Sequence, residues 1–573
     1  MSSPSPGTWR GLGLIGLSLG LLSAPLGATQ ATTKPPPRLI LQITVDQLRG
    51  DLPRRTFDRF GEGGFRYLME QGIRYDNAHH GHANTETIVG HTTLATGTHP
   101  STHGMVANVW FDHADESLRY NVEDPRYHLL TAGASIDQET EIDPTQKAAK
   151  TDGRSPSAIL VSTFSDELAL FTAGKAKVFG VSVKDRGAIA LAGHAGKAFW
   201  FSKAKGAFVT SNYYYDAYPD WVNEWNAKEP AAAWANTSWE LMHERDTYTY
   251  GDRDDREFET NLPGWGRTFP HPYGPGDSKY YTTFLTVSPV GDELTLDFAK
   301  ALIEHEGLGQ DDVPDYLSVS FSSTDYVGHL FGPSSLESED NLLRLDRTLA
   351  ELLAYVDDAV GLAHTLVVLS ADHGAAEAPP YMNELGIEAR YMDFDALDKT
   401  PAIEALKRRF GIGQELIETY YHPYLHLNRE LIAEQGLDPA SVERAVADEL
   451  VKFDGVAMAF TRSDLITQRV PATAVARRVL RNHYPARSGD IYVVLEPNWL
   501  VNDFDGLTVA TAHGSPWRYD TYVPIIFAGM GLEPRVVTRE VQTVDVAATL
   551  SLYLGTKFPS GCVGKPLEEV FGH

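Results

Sequence analysis

Four runs of aliphatic and β-branched residues, LILQITV, YLSVSF, TLVVL and TYVPIIFA, each adjoin a carboxylate or an imidazole. Leu39–Val45 is unbroken by charge, so it reads as a strand buried on both faces, and such strands belong to parallel sheets covered by helices. Asp46 stands at its carboxyl end. Tyr316–Phe321 reads as a second strand, with Asp325 and His329 beyond it, four residues apart and so on one face of a helical turn. Thr365–Leu369 is a third, followed by Asp372 and His373. Thr521–Ala528 is a fourth, preceded by His513. Open α/β sheets collect ligands at the carboxyl ends of their strands. The chain is therefore expected to be α/β, with a doubly wound, mostly parallel sheet flanked by helices and a site assembled from distant segments.

Three aspartates and three histidines suit borderline cations such as zinc. Two such cations, about 4 Å apart, can clamp the attacking and leaving oxygens of a phosphoryl transfer. A single aspartate at a strand end is more often a cap or turn residue. The metal reading rests on four clusters recurring at strand ends. Thr87 opens TIVGHTTLATG, which reads as a short helix. Its N-terminus would favour a phosphorylated hydroxyl, although a plain N-cap explains the same residue. Thr85 lies close enough to be an alternative. VFGVSVKDRGAI reads as a strand with Lys184 and Arg186 on one face. An ammonium and a forked guanidinium suit a phosphate dianion; charges placed on an edge strand for solubility are the plainer alternative.

Together, VDQLRGD, TETIVGHTTLATGTHPSTHGMVANVW, SVKDRGAI, SSTDYVGH, SADHG and AHGSPWRYDTYVPIIFAG resemble the motifs of the alkaline phosphatase superfamily. The similarity is to the PafA-type branch, threonine-nucleophile and zinc-dependent, which is related to the nucleotide pyrophosphatase/phosphodiesterases. It runs from about Leu39 to the closing PSGCVGKPL. The resemblance implies an alkaline-phosphatase-like catalytic domain whose insertions form a cap. It implies two Zn2+ ions, one held by Asp325, His329 and His513, the other by Asp46, Asp372, His373 and the hydroxyl of Thr87. Its spacing, threonine followed after two residues by Gly-His, selects Thr87 over Thr85 as nucleophile and implies a phosphothreonine intermediate. Asn108 matches an asparagine that hydrogen-bonds a phosphate oxygen. Lys184 and Arg186 match the monoesterase branch, which diesterase relatives replace with an apolar slot. Phosphate monoester hydrolysis is the activity implied. The alternative is a phosphodiesterase or nucleotide pyrophosphatase at the same two-zinc site. A silent zinc-stabilised binding protein is a further reading, opposed by an intact Thr87.

At 573 residues the chain exceeds the size at which one core stops growing, about 250–300 residues. A catalytic domain over 38–573 is expected to carry insertions at about 205–285 and 380–490. The first is dense in tyrosine and tryptophan and reads as a partial cover for the site, its rings more readily building a small core than holding a leaving group. The formal charge of −28 excludes a broad nucleic-acid surface. The positive field for small phosphorylated substrates must be local. Residues 1–31 read as a signal peptide, with Arg10 before an apolar stretch and small residues near Ala28 and Ala31; an uncleaved anchor is the alternative. Residues 32–37 read as a linker, and no later segment is apolar enough to cross a bilayer. The chain is expected in the periplasm or secreted, as a monomer. Cys562 is alone, so no intramolecular disulfide can form.

Overall fold

The computed structural model describes Met1 and residues 35–572, apart from 115, 395 and 505. The signal-peptide reading of 1–31 lies outside the described residues but for Met1.

Leu39–Val45 is the hub of the sheet, buried at every residue. It pairs in parallel with Asp315–Phe321 on one side and with Thr365–Ser370 on the other. Val178–Ser182 and then Lys197–Ser202 extend the parallel set beyond Asp315–Phe321. On the far side Tyr522–Gly529 joins Thr365–Ser370 antiparallel, and Ile73–His79 joins that strand antiparallel in turn. In all, the sheet has ten strands. The strands' two-residue repeat divides their side chains between two cores. Leu39, Leu41, Ile43 and Val45 pack with Leu317, Val319 and Val367 against the helices Pro289–Glu306 and Leu336–Ala359. Ile40, Tyr316, Leu366 and Val368 face the other way, onto the helix Asp545–Leu554. The sheet is thus covered on both faces, as the apolar runs imply.

One local expectation is corrected. Lys184 and Arg186 do not share a strand face. The strand ends at Ser182, Lys184 is the N-cap, and the helix Asp185–Ala192 begins immediately. Asp185 in the first turn and the later Ala188, Ala190, Leu191 and Ala192 favour that helix. It lies tight on its own strand, since a β-carbon on Gly180 would sit 2.2 Å from the Ala188 carbonyl oxygen.

Trp221, Trp225, Trp239, Trp265 and Phe269 join the main core rather than forming a separate one. Residues 417–495 contribute a four-stranded antiparallel sheet in the order Ile417–Tyr421, Tyr424–Leu427, Ile491–Leu495, Val456–Thr461. The helices Pro401–Phe410 and Pro439–Leu450 share a core of their own with it. Among the described residues no helix is long and apolar enough to cross a membrane.

Candidate active site

Sheet register creates the site. Thr44 aligns with Ser320 and Ser370, and Ser320 with Ser182, so four strands stop side by side. Asp46, Lys184, the helix Ser323–Phe331 and the Asp372–His373 pair follow at one edge. Tyr522–Gly529 is antiparallel to its neighbour, so its start, and His513 ahead of it, come to that same edge.

Two Asp–His trios form there. In the outer trio Asp325 Oδ1 lies 3.2 Å from His329 Nε2 and 3.5 Å from His513 Nε2, and the two Nε2 atoms are 3.2 Å apart. In the inner trio His373 Nε2 lies 3.3 Å from Asp46 Oδ1 and 3.5 Å from Asp372 Oδ2. Within each trio one donor atom per residue lies within 4.8 Å of the others. Each imidazole is oriented by its other nitrogen. His329 Nδ1 donates to the Thr511 carbonyl at 2.9 Å, His513 Nδ1 to that of Thr85 at 2.8 Å, and His373 Nδ1 to that of Gly374 at 2.9 Å. A carbonyl oxygen only accepts, so each proton is fixed on Nδ1 and each Nε2 faces its carboxylates.

The carboxylates are held the same way. Lys184 Nζ donates to Asp46 Oδ2 at 2.6 Å and to Asp325 Oδ2 at 2.5 Å, bridging the two trios. Gln47 donates its backbone N–H to Asp372 Oδ1 at 3.1 Å and its side-chain amide to Asp325 Oδ1 at 2.9 Å. Asp46 Oδ1, Asp372 Oδ2 and His373 Nε2 are buried and make no hydrogen bond. Unsatisfied buried donors and acceptors are costly, and two buried carboxylate oxygens converging with one imidazole nitrogen are what a divalent cation would satisfy. Oxygen and imidazole donors of this kind fit zinc.

Charge in the two trios is distributed unequally. Burial and Asp46 raise the Asp372 carboxyl above its ordinary value. Burial also opposes ionisation of Asp325, but Lys184 and His329 outweigh it and hold that carboxyl well below the usual range. His373 is pushed up to about 9, because Asp372 and Asp46 overcome the burial that would deprotonate it. His513 is pushed down to about 3 by burial and by His373. Without a cation the inner trio therefore retains a proton, while His513 in the outer one is neutral.

A cavity of about 780 Å³ opens onto the outer trio. Thr87, Asn108 and Arg186 line it with Asp325, His329 and His513. Asp46, Asp372, His373 and Lys184 lie behind that wall, fully buried. Thr87 begins the helix Thr87–Thr96, placing the positive end of its dipole at the cavity wall. Arg186 reaches from its own helix to place a guanidinium nitrogen 3.4 Å from Thr87 Oγ1. A second nitrogen of the same group donates to Asp143 Oδ2 at 2.9 Å. The Ile88 N–H donates to Asn108 Oδ1 at 3.0 Å. Thr85 is otherwise engaged, its hydroxyl donating to the Ser515 carbonyl at 3.0 Å. Among the described residues none of 205–285 lines the cavity. Its outer walls are Tyr420–His422, Trp499 and Phe504.

Three positioning residues escaped the sequence reading. Gln47 takes a left-handed φ of 66°, rare for a side chain of its kind and visible only in the structure. His91, one turn after Thr87, donates Nδ1–H to the Thr87 carbonyl at 2.9 Å and lies 3.1 Å from Asp372 Oδ2, while Nε2 meets Ser320 Oγ at 2.9 Å. Its neighbour Gly90 is the available clue: a β-carbon there would sit 1.9 Å from the Asp372 carbonyl oxygen, so only glycine lets the Thr87 helix approach. Asp143 had no local signal.

The family model for type I phosphodiesterase / nucleotide pyrophosphatase matches residues 40–516. A protein of Myroides odoratus named calcium-transporting ATPase is 34% identical over 93% of this chain and 94% of its own length. Alkaline phosphatase PafA of Elizabethkingia meningoseptica is 34% identical over 97% of this chain and 98% of its own. The crystal structure of wild-type PafA superimposes with a TM-score of 0.84 at 32% identity, covering 94% of this chain and 99% of that one. The chain therefore belongs to the type I phosphodiesterase / nucleotide pyrophosphatase family, alongside the PafA alkaline phosphatases.

Proposed function

We propose that this chain is an exported alkaline phosphatase that hydrolyses phosphate monoesters through a phosphothreonine at Thr87. The observation that carries the reading is the convergence of two Asp–His trios on one cavity wall that also holds Thr87, Asn108 and Arg186. Asp325, His329 and His513 would hold one zinc ion, and Asp46, Asp372, His373 and Thr87 Oγ1 the other. When bound, the two ions supply Lewis acidity to the attacking and leaving oxygens.

The residues do the rest. Thr87 Oγ1, its proton released to solvent, attacks phosphorus in line; the P–O bond to the leaving oxygen breaks as the bond to Thr87 forms, and the alkoxide takes a proton from water and leaves as the alcohol. The helix N-terminus stabilises the charge on that group. Water then attacks the same phosphorus and frees phosphate. Arg186, aimed by Asp143, and the Asn108 amide, turned by the Ile88 N–H, bind the oxygens that do not react. Lys184 adds positive field to those oxygens from behind Asp46 and Asp325. The terminal phosphoryl group of a nucleoside triphosphate carries the same free oxygens and falls within this chemistry. Residues 1–31 are read as the leader that exports the chain to the periplasm or beyond.

A diesterase at the same trios is the second reading, favoured by the family match and by the apolar walls around Tyr420, Trp499 and Phe504. Rates on an aryl phosphate and on its methyl diester, for the zinc-loaded protein and for Arg186→Ala, Lys184→Ala and the double variant, separate the two. A charge-assisted hydrogen bond is worth roughly 1.5–3 kcal/mol, about tenfold to more than a hundredfold. For Arg186→Ala the monoester rate is expected to fall by such a factor, far more than the diester rate, and Lys184→Ala, which removes only field, is expected to shift the ratio less. Equal proportional losses would favour the diesterase.

A further inference from the structure

His113, His426 and Asp490 form a third group of metal-type side chains, remote in sequence from the trios above, with one donor atom each within 4.8 Å of the others. His426 Nδ1 lies 3.2 Å from His113 Nε2, and Asp490 Oδ2 lies 3.8 Å from that same His113 nitrogen. Two nitrogens held about 2.05 Å from a tetrahedral zinc are about 3.3 Å apart. The outer trio, in the same structure, spaces its two imidazole nitrogens at 3.2 Å as well.

The surrounding contacts have the form of a supported metal site. Asp490 Oδ1 is held by Arg429 Nε at 2.8 Å, and Oδ2 accepts the Leu427 N–H at 2.8 Å, leaving a further lone pair for a cation. On the other side of the His113 ring, Glu418 Oε2 lies 3.7 Å from Nδ1. At that distance it makes no direct hydrogen bond, but its charge favours the Nδ1–H tautomer that leaves Nε2 as the donor atom. Phe111 packs on both rings, 5.0 Å from His113 and 5.1 Å from His426. Burial lowers both imidazoles, His426 to about 3, so both keep lone pairs at neutral pH; Arg429 adds to this in each case. The groups facing the cluster are thus Glu418 and Asp490 against Arg429, with Asp112 and Arg462 acting on His113 from farther off.

We propose that His113, His426 and Asp490 bind a third divalent cation of the zinc class, which joins two walls of the cavity. His113 follows the strand Val109–Asp112, which begins directly after Asn108. His426 lies in Tyr424–Leu427, paired with the strand that carries the cavity residues Tyr420 and Tyr421. Asp490 directly precedes Ile491–Leu495, most of which also lines the cavity. A cation here fixes the Asn108 wall against the tyrosine wall without touching the reacting atoms. Three protein donors leave one tetrahedral position for water.

The test is zinc content of the full chain, loaded with zinc and freed of excess by gel filtration. Wild type is expected to hold three zinc ions per chain and His113→Asn two, with kcat on an aryl phosphate within a few-fold of wild type. His113 is only half-buried, so this variant avoids the cavity that substituting His426 would leave. Asp325→Ala should also lose one ion, from the active site, and the double variant two. Equal zinc counts in wild type and His113→Asn would overturn the proposal, and so would a loss in His113→Asn that Asp325→Ala does not add to.

Discussion

The inner and outer trios contain the same ligand types, yet they sit in different media. Asp46, Asp372 and His373 are at 0% exposure, stacked behind the cavity wall. His329 and His513 reach the cavity, their side chains 10% and 7% exposed. The inner trio leaves Asp46 Oδ1, Asp372 Oδ2 and His373 Nε2 without a hydrogen bond, whereas no outer-trio atom is among such buried atoms in the described residues. Burial thus makes the inner trio part of the fold, charged and under-satisfied, while the outer trio is part of the pocket. Lys184 joins the two, so a change in one is felt by the other. In the proposed reaction the inner position serves the nucleophile, rigidly, and the outer one serves an exchangeable leaving group.

The largest expected effect tests whether Thr87 belongs with the inner trio. Thr87→Ala should lower kcat/KM on an aryl phosphate by on the order of 10³-fold or more, as removing a nucleophile does, with both active-site zinc ions retained. Thr87→Ser should recover much of the loss. Acid-quenched protein should carry phosphate on Thr87, and phosphate on Thr85 would break the assignment.

Next comes the link between the trios. Removing one partner of a buried ion pair costs about 3–5 kcal/mol. Lys184→Ala should therefore destabilise the chelated protein by about that amount in urea denaturation, because two buried carboxylates lose their counter-ion. The zinc-loaded protein should lose much less. Equal losses in both states would mean that cations do not occupy the trios.

A pH series sharpens the contrast. The folded pKa of His373 is raised from 6.5 to about 9. A raised value means that its contribution to the stability of the metal-free protein is complete below about 6.5 and fades as pH climbs through 9. A cation must displace that proton, so zinc binding to the inner trio at pH 7 should release one. Its affinity should rise up to tenfold per pH unit until about pH 9. His513, held near 3, should impose no such dependence on the outer position. Isothermal titration in buffers of different ionisation heat reads the proton count, and two identical pH profiles would erase the distinction.

The smallest effect concerns aim. Asp143→Ala frees Arg186 from its partner. Monoester kcat/KM should fall about tenfold, the low end for one charge-assisted hydrogen bond, with zinc content unchanged. Loss of zinc instead would make Asp143 a structural residue of the trios.

The strands, the trios and the Thr87 helix were legible because each is written locally. Leu39–Val45 and Thr365–Ser370 are buried on both faces, so apolar runs ending in aspartate left little choice. Lys184 and Arg186 were legible as residues but not as geometry, because the apolar run Val178–Val183 continues into the alanine-rich segment without a break that marks where the strand stops at Ser182. Gln47 and Asp143 act through partners hundreds or tens of residues away, on Asp325, Asp372 and Arg186. The aromatic segment looked like a cover because composition does not say which surface it packs on. The rings of Trp221 and Trp225 instead meet Phe298 at 5.2 and 5.1 Å, on a helix that backs the sheet. The wall came from Tyr420 and Tyr421, on a strand of the separate antiparallel sheet, and from Trp499–Val501, paired in parallel with Arg390–Met392.

One measurement bears most directly on the central claim. An anomalous-scattering map of crystals of the zinc-loaded protein should show one zinc in each trio, about 4 Å apart. The inner one should lie within ligand distance of Thr87 Oγ1. A single peak, or a pair that leaves the inner trio unliganded, would contradict the account.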